Sequence, residues 1–203
     1  MDIPLFLYLT HLLTGFYALL IHFHRPSTGP SAPTRQKLII LLTGATIALT
    51  GRSIFNQRAT PPSNSNGDRA LPANAAAALL LAAVTLFVWA ALHTAPRRFA
   101  IIYSDVRPGY VVRTGPFAWV RHPTYASYVL GWTGSVVLMA AAPDAHAAAV
   151  AAACACLAAL VWLYGDAADL EERQFAGAGV PEGVRREYEV YRARTARWVP
   201  GVY

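Results

Sequence analysis

Charge is what this sequence has least of. Only 14% of its 203 residues are Asp, Glu, Lys or Arg, where a soluble domain carries about 25%. With 55% hydrophobic residues and a mean hydropathy of +0.35, that shortage excludes an ordinary soluble domain before any motif is read. Cysteine is scarce as well. Cys154 and Cys156 sit two positions apart in an Ala-rich apolar run, so they do not share a helix face and read as small packing residues, with neither a disulfide nor a metal pair. No HExxH, CxxC, GxSxG or Walker-type spacing occurs, so nothing supports a metal site. A glycine-rich dinucleotide fingerprint is also missing, which argues against a Rossmann-type domain. The N-terminus lacks a basic region and a small-residue cleavage site, and Asp2 stands where a signal would be basic; the first apolar run is therefore expected to be retained.

What is there is apolar runs. Crossing the hydrocarbon core takes about 20 mainly apolar residues, and only a helix satisfies its own backbone in lipid. Five runs come close: Ile3 to Phe23, Leu38 to Phe55, Ala73 to His93, Tyr125 to Ala142 and Ala147 to Tyr164. The expected fold is an all-α integral membrane protein of about five transmembrane helices, with a cytosolic loop and a C-terminal amphipathic helix. Ala142-Pro143-Asp144 predicts a tight turn, making spans four and five a hairpin. Asn56 to Pro72 reads as a polar loop. Thr94 to Thr124 is too polar to span and long enough to be functional.

The net charge of +6 comes from basic residues between the apolar runs, which points to membrane topology and away from nucleic acid. With five spans, one side carries only Arg52, Arg58 and Arg69; the other carries the remaining Lys and Arg. The positive-inside rule then places the 94–124 loop and the tail in the cytosol. From Val184 to Trp198 the tail has Val184, Tyr188, Tyr191 and Trp198 at helical spacing. That pattern fits either a helix in the headgroup region or one packed on the cytosolic loop.

Two clusters carry chemistry. Val111 to Tyr125 (VVRTGPFAWVRHPTY) joins a Gly-Pro turn, aromatic residues and a charged pair to Pro123, which suits the first turn of span four. Free N–H groups there suit an anionic part of a ligand; the other reading is an interfacial anchor, with Trp119 and Tyr125 in the aromatic belt. The second cluster is Asp166, Asp169, Glu171 and Glu172, just past span five. A helix C-terminus favours cations, so these acids need another reason. If the helix continues, Asp169 pairs with Arg173. Glu171 then shares a face with Tyr164 and Phe175 and is free to hold a cationic ligand group. Among the histidines, His11 lies within span one and needs a partner; His22, His24, His93 and His146 lie near span ends and read as interfacial.

In chain order stand Val111-Val112-Arg113-Thr114-Gly115-Pro116-Phe117, Arg121-His122-Pro123-Thr124-Tyr125, Glu171-Glu172, Glu187-Tyr188 with Tyr191, and Val199-Pro200-Gly201. This series resembles the isoprenylcysteine carboxyl methyltransferase family, whose pattern runs LVTxGxYxxxRHPxYxG, an apolar hairpin, EE, FGxxYxxY and a terminal IPG. The resemblance covers about the C-terminal half. It implies one domain over 1–203, with three N-terminal spans in 1–93 and an S-adenosyl-L-methionine-binding half in 94–203. By position, Tyr110, Val111, Val112, Phe117, His122, Pro123, Thr124 and Tyr125 would line the cofactor, and Glu171 would bind its charged end. Arg121 would orient a carboxylate through its two-pronged guanidinium, and Glu172 would meet the substrate. Phe117 stands where the family usually has Tyr, and Ser127 where Gly is common. Ala167 stands where animal-type members have an Arg near the substrate, which bears on the substrate more than on the cofactor.

The resemblance implies carboxyl O-methylation, on the C-terminal prenylcysteine of a lipidated protein or a lipophilic small-molecule acid. The setting would be the endoplasmic reticulum membrane of a eukaryote or the inner membrane of a prokaryote. The lipid bilayer and that acid are the implied partners. Other readings stand beside it. A phospholipid or lipid-amine N-methyltransferase would use Glu171 or Glu172 as a base. An NADPH sterol-reductase-like protein shares a related tail, here Pro200 to Tyr203. A membrane scaffold would use both clusters only as anchors.

Overall fold

The computed structural model describes residues 3–23, 32–56, 66–94 and 107–201. Six α-helices make up the described part: α1 (Ile3–Phe23), α2 (Ala32–Asn56), α3 (Asn66–Thr94), α4 (Pro123–Ala140), α5 (Ala147–Gln174) and α6 (Glu182–Arg194), with a 3-10 turn at Gly115–Ala118. Among the described residues the only strand-like pairing is an isolated bridge between Val120 and Ala196.

The first five helices alternate in direction. Leu5, Ile54, Ala76 and Leu138 meet in one buried cluster, so α1 and α3 begin where α2 and α4 end. Ala18, Ile39, Phe87, Tyr125 and Leu163 meet in another, at the end where α1, α3 and α5 finish and α2 and α4 start. Four of the five helices are long and apolar enough to cross a membrane: Ile3–Leu20, Pro33–Phe55, Leu71–Thr94 and Ala147–Gln174. Their outer faces expose Phe6, Leu13, Phe16, Leu41, Leu81, Leu92 and Trp162, as lipid contact requires.

The fourth expected span differs in kind. α4 is 18 residues long, about 27 Å, and is not among the four helices long and apolar enough to cross a membrane. Twelve of its residues are buried, Tyr125, Ser127, Tyr128, Trp132 and Ser135 among them, because the other helices surround it. A helix enclosed by protein can carry hydroxyls that lipid would reject. Ser135 returns its hydroxyl to the Gly131 carbonyl at 2.9 Å, and Thr133 does the same to Val129 at 2.7 Å. Three boundaries also move. α2 starts at Ala32, six residues before the expected Leu38; α3 starts at Asn66, seven residues before the expected Ala73, so the end of the expected polar loop is helical with Pro72 inside the helix; and α5 runs on to Gln174, ten residues past Tyr164. Residues 57–65 of the expected polar loop, and 95–106 of the next connection, lie outside the described residues.

His11 finds its place against α4. Its ring is buried and stands edge-on to Trp132, centroids 4.8 Å apart. It occupies the space over Gly131, where an added Cβ would lie 2.0 Å from His11 Cε1. Gly131→Ala should therefore destabilise the bundle by about 1–3 kcal/mol through overpacking. Trimming the ring in a His11→Ala/Gly131→Ala pair should recover part of that loss. Thermal unfolding in detergent micelles checks this, and strictly additive effects would show that the two positions do not touch.

Candidate active site

The acidic end of α5, the start of α4 and the tail converge at one end of the bundle. The 3-10 turn begins at Gly115, whose φ of 60° disfavours a side chain. The His93 ring of α3 fills the space a Cβ there would take, with its nearest atoms at 2.5 Å. That contact seats the turn on α3, and the Trp89–Trp119 pair, centroids 6.0 Å apart, reinforces it. Pro123 then opens α4 as expected.

Residues 120–122 pair with the tail. Arg121 N–H donates to the Ala196 carbonyl at 2.8 Å and His122 N–H to the Arg197 carbonyl at 3.1 Å. Side chains tighten the same junction. Arg121 Nη1 donates to the carbonyls of Arg192, at 3.1 Å, and Thr195. The Tyr191 hydroxyl donates to the Phe117 carbonyl at 2.7 Å. α6 is amphipathic as expected, and its apolar side packs on protein. Tyr188 and Tyr191 are buried, and Tyr188 stacks on Phe175 with centroids 3.9 Å apart. Burial raises both phenol pKa values, so the hydroxyls stay neutral.

Glu172 lies at the centre, its side chain only 8% exposed. Its Oε1 accepts from Arg121 Nε at 3.1 Å and lies 3.0 Å from His122 Nε2 and 3.4 Å from Arg197 Nε, while Arg192 Nε stands 3.6 Å from Oε2. Glu171, one residue earlier and 25% exposed, accepts from the Tyr125 hydroxyl at 2.5 Å and faces His122 Nδ1 at 3.4 Å. Burial opposes a charged His122, but the hydrogen bonds and negative charges of Glu171 and Glu172 outweigh it and raise its pKa. Tyr125 is buried and lies between the rings of His122 and Tyr164, at 5.7 and 5.6 Å, so it is a core residue and not part of an aromatic belt. The expected Asp169–Arg173 pair is corrected: Asp169 takes Arg197 Nη2 at 2.6 Å, a partner 28 residues away that also reaches the Gly165 carbonyl. A tail that folds back offered a better-placed guanidinium than the local helix did.

A cavity of ≈ 300 Å³ opens beside this network. Tyr110, Val111, Val112, Phe117, Arg121, His122, Pro123, Thr124, Tyr125, Glu171 and Glu172 all line it, so every site residue expected from the sequence borders one space. Thr94, Arg107, Gln174 and Phe175 line it too, and sequence reasoning did not select them for the site. Phe175 was within reach, four residues after Glu171 on the same face. Arg197 was missed as a ligand of the acidic pair, because nothing local marks a pairing across half the C-terminal region.

The chain belongs to the isoprenylcysteine carboxyl methyltransferase family, whose model matches residues 76–176. It is thus a membrane protein of a methyltransferase family. The matched stretch spans α3 to the end of α5 and holds both the RHPTY and EE blocks; α6 and the tail lie beyond it. No curated protein and no solved structure matches the chain.

Two outcomes follow from the network. Glu172→Ala removes the shared counter-charge of Arg121 and His122, both nearly buried, and should cost about 3–5 kcal/mol in detergent unfolding. The His122 pKa, raised above the free imidazole value of about 6.5, makes its tie fully stabilising below about pH 6.5, and that stabilisation is lost as pH rises through the folded value. Melting temperature should fall as pH is raised through this window, and His122→Asn should flatten the decline. An equal decline in His122→Asn would assign the effect to another group.

Proposed function

We propose that this chain is an S-adenosyl-L-methionine-dependent carboxyl O-methyltransferase. It acts at the cytosolic face of its membrane on a lipophilic acid such as the C-terminal prenylcysteine of a lipidated protein. The observation that carries this reading is the convergence of the RHPTY and EE blocks on one cavity at the end of an apolar helix bundle, in a chain of this family. The concentration of arginine at that end favours the cytosolic side.

The cavity residues suit the cofactor. A volume of ≈ 300 Å³ lies at the lower end of the range for small-molecule sites. Tyr110, Phe117, Tyr125, Phe175, Tyr188 and Tyr191 supply aromatic surface, and Glu171 supplies an accessible negative charge for a cationic group. When bound, S-adenosyl-L-methionine supplies a methyl group on a cationic sulphur, whose transfer to a carboxylate consumes both charges. That chemistry moves no proton, so it asks the chain for orientation and exclusion of water. Tyr125 holds Glu171 in place through its hydroxyl. Glu172 holds His122 and Arg121, and so fixes the wall on which Tyr125 stands. Orientation of this kind lowers barriers by roughly 7–11 kcal/mol in favourable cases. The apolar tail of the acceptor stays in the bilayer beside the bundle.

The test is radiolabelled methyl transfer on membranes carrying the chain, with a farnesylcysteine analogue and phosphatidylethanolamine as acceptors. Base-labile label on the first is expected, and Glu171→Gln should reduce it at least about tenfold while the protein remains folded, as loss of a charge-assisted contact implies. Base-stable label on phosphatidylethanolamine alone would replace the ester reading with amine methylation. Label on neither, with no cofactor bound, would remove the enzymatic reading.

A further inference from the structure

Among the described residues, three cationic side chains border the cavity: Arg107, Arg121 and His122. Two are already committed. Arg121 serves Glu172 and two backbone carbonyls, and His122 lies between Glu171 and Glu172. Arg107 is exposed and has no ion pair or hydrogen bond among the described residues. Its guanidinium lies over the turn that follows α5, where Nη1 comes within 3.3 Å of the point at which a side chain on Gly179 would begin. The turn thus leaves room for the arginine to rest at the cavity without neutralising it.

The charges of the site then sort into two classes. Arg121 and His122 are held within the wall, both by Glu172 and Arg121 also by two backbone carbonyls. What the cavity still offers a ligand is the positive charge of Arg107 and the accessible carboxylate of Glu171, which belong to different segments of the chain. An uncommitted planar guanidinium at a cavity mouth matches a carboxylate in two-pronged fashion. We propose that Arg107 is the residue that binds a ligand carboxylate in this cavity. The assignment rests on the functional reading above, and it moves to Arg107 the carboxylate-gripping role that the sequence had suggested for Arg121. Arg121 becomes a positioning residue that ties the tail to the start of α4. Two carboxylates are available under that reading, the one on the amino-acid end of the cofactor and the one on the acceptor acid, and the same side chain suits either.

Equilibrium binding to the full chain in detergent micelles separates the sources. The ligands are S-adenosylmethionine, its decarboxylated analogue and a farnesylcysteine analogue, measured on the unaltered protein, Arg107→Ala and Arg107→Lys. If Arg107 takes the cofactor carboxylate, Arg107→Ala weakens S-adenosylmethionine roughly tenfold or more. Arg107→Lys weakens it less, and the decarboxylated analogue binds all three proteins alike, which also shows that the variants are folded. If it takes the acceptor carboxylate, cofactor binding is unchanged and the farnesylcysteine analogue weakens by a similar factor. Unchanged binding of both acids to Arg107→Ala overturns the assignment and leaves the functional reading standing. Failure of the unaltered protein to bind S-adenosylmethionine overturns both.

Discussion

The carboxylate of Glu172 is the point on which this end of the molecule depends. Four basic side chains from three segments address it: Arg121 and His122 before α4, Arg192 on α6 and Arg197 in the tail. A buried acid of this kind is expensive unless it is fully paired, and truncating one partner strands the others. The arrangement therefore specifies one geometry among the segments rather than adding much net stability. α5 supplies the acid from a rigid rod about 42 Å long, which is why separate stretches of chain can take a common reference from it.

The rest of the fold keeps that reference in register with the bilayer. α1, α2, α3 and α5 present apolar faces outward, and α4 hides its hydroxyls and tyrosines among them. Tyr8 on α1 meets Thr50 on α2 at 3.0 Å, and Arg35 on α2 meets Asp166 on α5 at 2.5 Å. The second contact lies at the same end as the cavity and ties an N-terminal helix to the rod that bears Glu171 and Glu172. Membrane packing and site geometry are in this way mechanically continuous, with Tyr125, Tyr128 and Tyr164 forming the aromatic floor between them.

Much of this was legible in the residue order, and what escaped has a common cause. Apolar run length located α1 and the cores of α2, α3 and α5, because lipid imposes the same demand on every outward face. α4 was found as a helix, but its modest hydropathy reflects shielding by neighbours, which no single-sequence window can register. The RHPTY and EE blocks were selected as one site, and they border one cavity. Their internal division of labour was not visible. Asp169 read as the partner of Arg173, since spacing along a helix is all a sequence displays; the arrival of Arg197 from the folded-back tail decided otherwise. Arg107 passed unnoticed for the opposite reason: a residue distinguished by having no ion pair or hydrogen bond among the described residues leaves no pattern to detect.

The pairing of residues 120–122 with 195–197 sets an order of events during biogenesis. Arg121 waits for a carbonyl 74 positions downstream before its guanidinium is satisfied. The five packed helices precede residues 195–197 in the chain, so the pocket wall is complete only once that later segment has docked. Packing of the helices and completion of the pocket wall are in this way separate stages.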